Sequence, residues 1–295
     1  MNLPKHDRYD YVPLIARKDY SWPDGERLAV CICNNIEVFG FLTGLGSDGA
    51  VVGAPQSTRN YAWRDYGNRV GQWYLFDLLD ELDLVVSHNV NSLVFDECPE
   101  IADRIRERGD EVVGHGRTNA ERQDHLSEAD EARLIAECTE GIAEHIGSRP
   151  KGWLGPYLAQ SPVTLDLLKE AGYEYVMDWP CDDQPIWMRT RSGPILAIPY
   201  SVEVNDSPAL VFRQHSAREF EAMMIDDFDE MLEQSRKWPL VYSVSLHPFI
   251  IGQPFRLRAL RRALGHILEH RASIWLTTPG RIADYCIRMP KGTIP

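Results

Sequence analysis

Residues 28–37 read LAVCICNNIE, and the fold is decided here. The first six, LAVCIC, form a continuous apolar run, the mark of a strand buried on both faces of a parallel sheet. The run breaks off abruptly into Asn34-Asn35-Ile36-Glu37. In an α/β barrel the C-terminal ends of the strands form the active face. An apolar run ending in two amides and a carboxylate therefore predicts polar chemistry at Asn35 and Glu37.

Outward from this strand, apolar runs and helical patterns alternate. The spacing predicts helices over 69–82, 98–108, 127–146, 162–171, 217–237, 256–271 and 279–286. Gly109, Gly147 and Gly172 stand where helix C-caps are expected. Strands are predicted over 84–86, 110–114, 151–156, 173–177, 195–199, 240–246 and 274–276. About seven alternations argue for a parallel α/β fold, closed or nearly closed into a (β/α) barrel, over an open doubly wound sheet. No G-x-G-x-x-G follows the first strand and no phosphate-binding loop is present, which argues against nucleotide binding. Residues 1–26 read as a surface arm. The glycine-rich stretch 40–58 reads as a long loop of the kind that serves as a substrate lid.

Composition narrows the class further. The chain has 295 residues, 44% of them hydrophobic, and no low-complexity linker divides it, so one domain is expected. A formal net charge of −13 disfavours binding to nucleic acid or anionic membrane. Six cysteines without a C-x-x-C pair read as buried free thiols and not as a disulfide framework. The first residues lack an apolar signal segment and no run is long enough for a membrane span, so the cytoplasm is the expected location.

Three side chains stand out as candidates for catalysis. Glu37 follows the first strand, His115 follows 110–114, and His247 ends 240–246 just before Pro248. A histidine at a strand end is suited to protonating a leaving nitrogen near neutral pH, and a carboxylate there suits a base or a metal ligand. His115 and Asn119 share a face if 115–119 turns helically. A second histidine at that spacing would make a metal pair, but asparagine is a poor zinc ligand. Asn35, Arg117, Asn119, Trp153 and Asp178 are the candidates for substrate contact. Asp182, Asp183, Glu203, Asn205 and Asp206 could fix loops or contact polar substrate atoms, but the sequence favours solvated acidic loops for them. No G-x-S-x-G elbow, S-x-x-K or H-E-x-x-H occurs.

Six stretches together carry a family resemblance: Tyr20 to Glu37 (YxWPxGxxLAVxxxxNxE), RDYGNRVG (64–71), GHGRTN (114–119), DWPCDDQP (178–185), IPYSVEVND (198–206) and SLHPFIIGQPFR (245–256). They resemble the polysaccharide-deacetylase-like superfamily, and within it the branch of cyclic amidohydrolases that includes deacetylase-like allantoinases and bacterial imidases. The resemblance implies a distorted (β/α)7 barrel, a homo-oligomer (dimer or tetramer) and hydrolysis of a C–N bond in a small cyclic imide or ureide; a metal-dependent deacetylase of N-acetylated sugars is the alternative. In deacetylases proper, the first motif supplies a base and a metal-binding aspartate, and the second two histidines. Here those places hold Asn34-Asn35-Ile36-Glu37 and His115 with Asn119, while the late histidine motif maps to His247. A catalytic zinc needs three protein ligands; Glu37, His115 and one distant group, His247 where zinc is bound, make a marginal set, so a site working without bound metal is expected. Glu37 or His247 would then activate water, Asn35 or Asn119 would stabilise the oxyanion, and Trp153 with the 40–58 loop would close over the ring.

Overall fold

The computed structural model describes residues 3–43 and 56–295. Among the described residues nine strands form one sheet: β1 (Leu28–Ile36), β2 (Ser87–Val90), β3 (Glu111–Gly114), β4 (Gly152–Trp153), β5 (Tyr175–Val176), β6 (Ile186–Met188), β7 (Ile195–Ala197), β8 (Leu240–Leu246) and β9 (Trp275–Thr277). The order is β6-β7-β5-β4-β3-β2-β1-β8, with β9 on β1. Every pairing is parallel except the β6–β7 hairpin. β2 takes Cys33–Ile36 of β1 while β9 takes Ala29–Cys31, so the two fill successive stretches of the strand. The sheet curls until the chain after β7 meets β8. Asn205 bridges to Ser245 in parallel, and the Ser245 N–H donates to the Val204 carbonyl at 3.0 Å. The result is the distorted barrel that the alternation predicts.

Strand periodicity explains where the site lies. Side chains on a strand alternate between faces. Leu28, Val30 and Ile32 of β1 pack outward beneath the helices. Ala29, Cys31 and Cys33 point into the barrel, where Val113, Tyr175, Leu196 and Val241 meet them. The same inward face continues upward through Asn35 to Glu37, so apolar filling gives way to polar groups at the C-terminal mouth. β1 is longer than the apolar run suggests because Asn34 and Asn35 belong to it. Asn34 faces outward and donates to Gln72 Oε1 at 2.9 Å.

β2 is the largest departure from expectation. The strand predicted at 84–86 lies at 87–90 and reads Ser-His-Asn-Val, all buried. Its polar residues find partners on neighbouring elements: Asn89 donates to Asn35 Oδ1 at 2.9 Å, and His88 lies 3.0 Å from Asp110, although the Asn89 Oδ1 itself accepts no hydrogen bond. Hydropathy cannot find such a strand. The helix expected at 69–82 is the second half of a longer one, Thr58–Tyr66 joined to Gln72–Glu81 by a π-turn at Gly67–Gly71. A Cβ at Gly71 would lie 2.2 Å from the Pro248 carbonyl oxygen. Glycine there lets the π-turn seat against the turn that follows His247.

The arm is only partly peripheral. Leu3 and Tyr11 are exposed, but Trp22 is fully buried and its Nε1–H donates to the Leu240 carbonyl at 3.0 Å. Cys31, Cys33, Cys138 and Cys286 are buried free thiols, Cys98 is half-buried and Cys181 exposed. Among the described residues no helix is long and apolar enough to cross a membrane. Most of the glycine-rich stretch expected to act as a lid, residues 44–55, lies outside the described residues.

Candidate active site

A cavity of about 530 Å³ opens at the C-terminal mouth of the barrel, with Glu37, His115, Asn119 and His247 in its wall. Glu37 stands between the two imidazoles. Its Oε1 is 3.4 Å from His115 Nε2 and 3.6 Å from His247 Nε2. The same oxygen accepts from Asn119 Nδ2 at 2.6 Å. The Glu37 backbone is held as well, since Asn68 of the π-turn donates to its carbonyl at 2.9 Å. Burial disfavours the ionised carboxylate, but the neighbouring His247 and His115 outweigh it and hold Glu37 below the ordinary glutamate range.

His247 is oriented from behind. Its Nδ1 lies 2.6 Å from Asp206 Oδ1, and its backbone N–H donates to Asp206 Oδ2 at 2.8 Å. A carboxylate behind Nδ1 selects the tautomer with hydrogen on that nitrogen and turns Nε2 toward the cavity. Burial works against the imidazolium, yet the Asp206 and Glu37 carboxylates prevail and raise the His247 pKa. Asp206 is pushed up by its own burial, which His247 only partly offsets. His115 is oriented in a similar way by a neutral acceptor, the Leu154 carbonyl 2.5 Å from its Nδ1.

The segment 115–119 is not a helical turn, yet His115 and Asn119 still converge on one carboxylate oxygen. Two contacts arrange this. Asn91 donates to Asn119 Oδ1 at 3.0 Å, and the Asn119 N–H donates to the Val38 carbonyl at 3.0 Å. Gly116 has φ of 67°, and a Cβ there would meet Pro156 at 2.8 Å.

Other expected contacts fall elsewhere. Asn35 lines the cavity, but its Nδ2 serves Tyr200 Oη at 3.0 Å and the Leu246 carbonyl at 2.9 Å, so its donors brace the barrel and are not free for an oxyanion. Arg117 is tied to Glu121 and Glu137 and does not line the cavity. Trp153 is wholly buried against Tyr173, with ring centroids 5.5 Å apart, and cannot close over a substrate. Asp178 lies behind the wall: it accepts from the Gly155 N–H at 2.6 Å and from Gln160 at 2.9 Å. Burial pushes its pKa up to about 7. It thereby anchors the loop in which Tyr157 (φ 63°) and Leu158 (φ 54°) line the cavity with left-handed backbones. Such strained residues persist where the surroundings over-determine them, and they cluster at ligand sites.

Sequence reasoning left Asp206 undecided among acidic loop residues and missed Asn91 and the aromatic wall of Phe39, Tyr157, Phe212 and Phe249. Asp206 carried one usable signal, its place just after the 195–199 strand. Its pairing with a histidine 41 positions away exists only in three dimensions.

The donor set fits a zinc ion poorly. Asn119 stands where a second histidine would be needed, and its amide N–H points at Glu37, the posture of a donor toward an anion. Glu37 between two imidazoles makes a line of groups. Among the described residues, the three ligand atoms of Glu37, His115 and His247 do not all approach within 4.8 Å of one another, as they would around one ion.

The polysaccharide deacetylase family matches residues 63–176. A Schizosaccharomyces pombe protein, assigned by its name to the polysaccharide deacetylases by inference, is 23% identical over 89% of this chain and 91% of its own. A Helicobacter pylori peptidoglycan deacetylase is 24% identical over 63% of this chain and 74% of its own. The crystal structure of Puue allantoinase superposes with a TM-score of 0.82 at 25% identity, covering 94% of this chain and 97% of that one.

Proposed function

We propose that this chain, similar to the polysaccharide deacetylase family over residues 63–176 and to an allantoinase over most of its length, is a C–N hydrolase that opens the ring of a small cyclic imide or ureide without a resident metal. The observation that carries this reading is the line Asp206–His247–Glu37–His115, in which His247 Nε2 faces the cavity beside an ionised carboxylate. The aromatic wall suits a compact ring, and the neighbouring allantoinase bears a name that points to a cyclic ureide.

Chemistry follows from the protonation states. Glu37 accepts a proton from water as its oxygen attacks one ring carbonyl. The second N–H of the Asn119 amide is a donor available to the oxyanion. As the C–N bond breaks, the His247 imidazolium gives its Nε2 proton to the ring nitrogen. Glu37 then returns its proton to His247 across 3.6 Å, which resets both groups. An imide suits this apparatus because its nitrogen anion is delocalised over two carbonyls and leaves more readily than a simple amide. The same reading includes a homo-oligomeric assembly.

The test is turnover by chelator-dialysed protein on succinimide, maleimide, hydantoin, dihydrouracil and allantoin, with N-acetylglucosamine oligomers alongside. Ring opening of at least one cyclic substrate, undiminished by the chelator, is expected. Zinc-dependent release of acetate with no ring opening would replace this reading with an N-deacetylase.

A further inference from the structure

Far from the barrel mouth, two helices bring a second set of potential ligands together. Asp229 lies on Ala217–Ser235, His266 on Pro254–Glu269, and His270 caps the C-terminus of that second helix. His266 and His270 are four positions apart, so they stand one above the other on the same face. One ligand atom from each of the three side chains falls within 4.8 Å of the others. His266 Nε2 is 2.7 Å from Asp229 Oδ1.

We propose that Asp229, His266 and His270 form a site for a divalent transition-metal ion, zinc above all, that clips the two helices together. Two imidazoles and a carboxylate are a recurrent zinc donor set, with bonds of about 2.0–2.2 Å to each. Tetrahedral geometry at those lengths places neighbouring donors about 3.3 Å apart. A small opening of the His266–Asp229 contact reaches that separation. The imidazoles are also held from beneath. Phe228, fully buried, has its ring centroid 6.1 Å from that of His266 and 5.6 Å from that of His270. Asp229 is half-exposed, so water has access to a fourth position. Imidazole ligands select zinc, nickel or copper over magnesium and calcium. The first helix packs on β8, the strand that ends at His247, and the second packs on the first, so the clip would brace the outer layer behind the site without entering it.

The test uses the untagged full chain, dialysed against chelator and titrated calorimetrically with zinc chloride. One ion per chain is expected, with no heat from magnesium chloride and a higher thermal midpoint in zinc. His270→Gln and Asp229→Asn should each weaken zinc binding at least about tenfold and abolish the thermal shift, while their zinc-free midpoints and turnover stay near those of the natural chain. His115→Gln, at the barrel mouth, should leave the zinc isotherm unchanged. The proposal is overturned if no zinc binds, if both surface variants bind it as the natural chain does, or if His115→Gln removes the binding.

Discussion

Two buried histidine–carboxylate pairs stand on the strands that flank β1, one on either side, and they do different work. His88 on β2 faces outward under the helices and has both ring nitrogens engaged. Nε2 lies 3.0 Å from Asp110, and Nδ1 lies 3.0 Å from the Asn34 amide. Asp110 also receives the Arg108 guanidinium at 2.6 Å, and His88 and Arg108 overcome its burial and hold its pKa below the usual aspartate range. His247, at the end of β8, has only Nδ1 engaged by Asp206, while Nε2 faces the cavity and Glu37. Among the described residues no arginine pairs with Asp206 as Arg108 pairs with Asp110; Arg256 acts on it only as the smallest of its influences, and its pKa is raised where that of Asp110 is lowered. A closed pair with a full complement of partners braces the fold, whereas a pair with one nitrogen left open can exchange protons.

The sharpest break of the closed pair is Asp110→Ala. It leaves His88 and Arg108 buried without their common anion. Removing one partner of a buried ion pair costs about 3–5 kcal/mol. Thermal or urea unfolding should show a loss of that order.

The open pair is sharpened by Asp206→Asn. The Asp206 carboxylate helps raise the His247 pKa, so its removal lowers that pKa. Catalysis needs His247 protonated and is lost as pH rises through its pKa. The alkaline limb of kcat against pH should therefore move to lower pH in the variant, with a loss of about tenfold or more at neutral pH. An unmoved limb would mean that Asp206 only supports the backbone.

The smallest expected effect concerns Asp178, a buried carboxylate that belongs to neither pair. Its pKa is raised to about 7 from an ordinary 3.8. The stability it contributes is full below the unfolded value and is lost as pH rises through the folded one. Asp178→Asn keeps the uncharged form at every pH. The thermal midpoint of the variant relative to the natural chain should thus improve by a few degrees between about pH 5 and pH 8. A difference that stays flat over this window would contradict the raised value.

Sequence reading reached the active face more readily than its supports. The step from LAVCIC to NNIE reveals β1 and places Glu37 at its end, because an apolar run and its termination are local properties. The strand Leu240–Leu246 and the histidine after it are legible for the same reason. β2 was not legible, because Ser87, His88 and Asn89 are buried through partners that come from β1 and from Asp110. Trp153 and Arg117 look like substrate contacts beside conspicuous motifs. Which way each side chain points depends on Tyr173 in one case and on Glu121 and Glu137 in the other. Asp206 lay hidden among several acidic residues until the curled sheet carried it behind His247.

The central claim is that the open pair does chemistry and the closed pair holds structure. One parallel measurement on His247→Gln and His88→Gln tests it directly, reading thermal midpoint and turnover per folded molecule on whichever cyclic substrate the natural chain opens. His247→Gln should keep the midpoint close to that of the natural chain and lose about 10²–10⁴ in kcat, the span of a general acid. His88→Gln should lower the midpoint and keep turnover. Near-normal turnover by a well-folded His247→Gln would contradict the account.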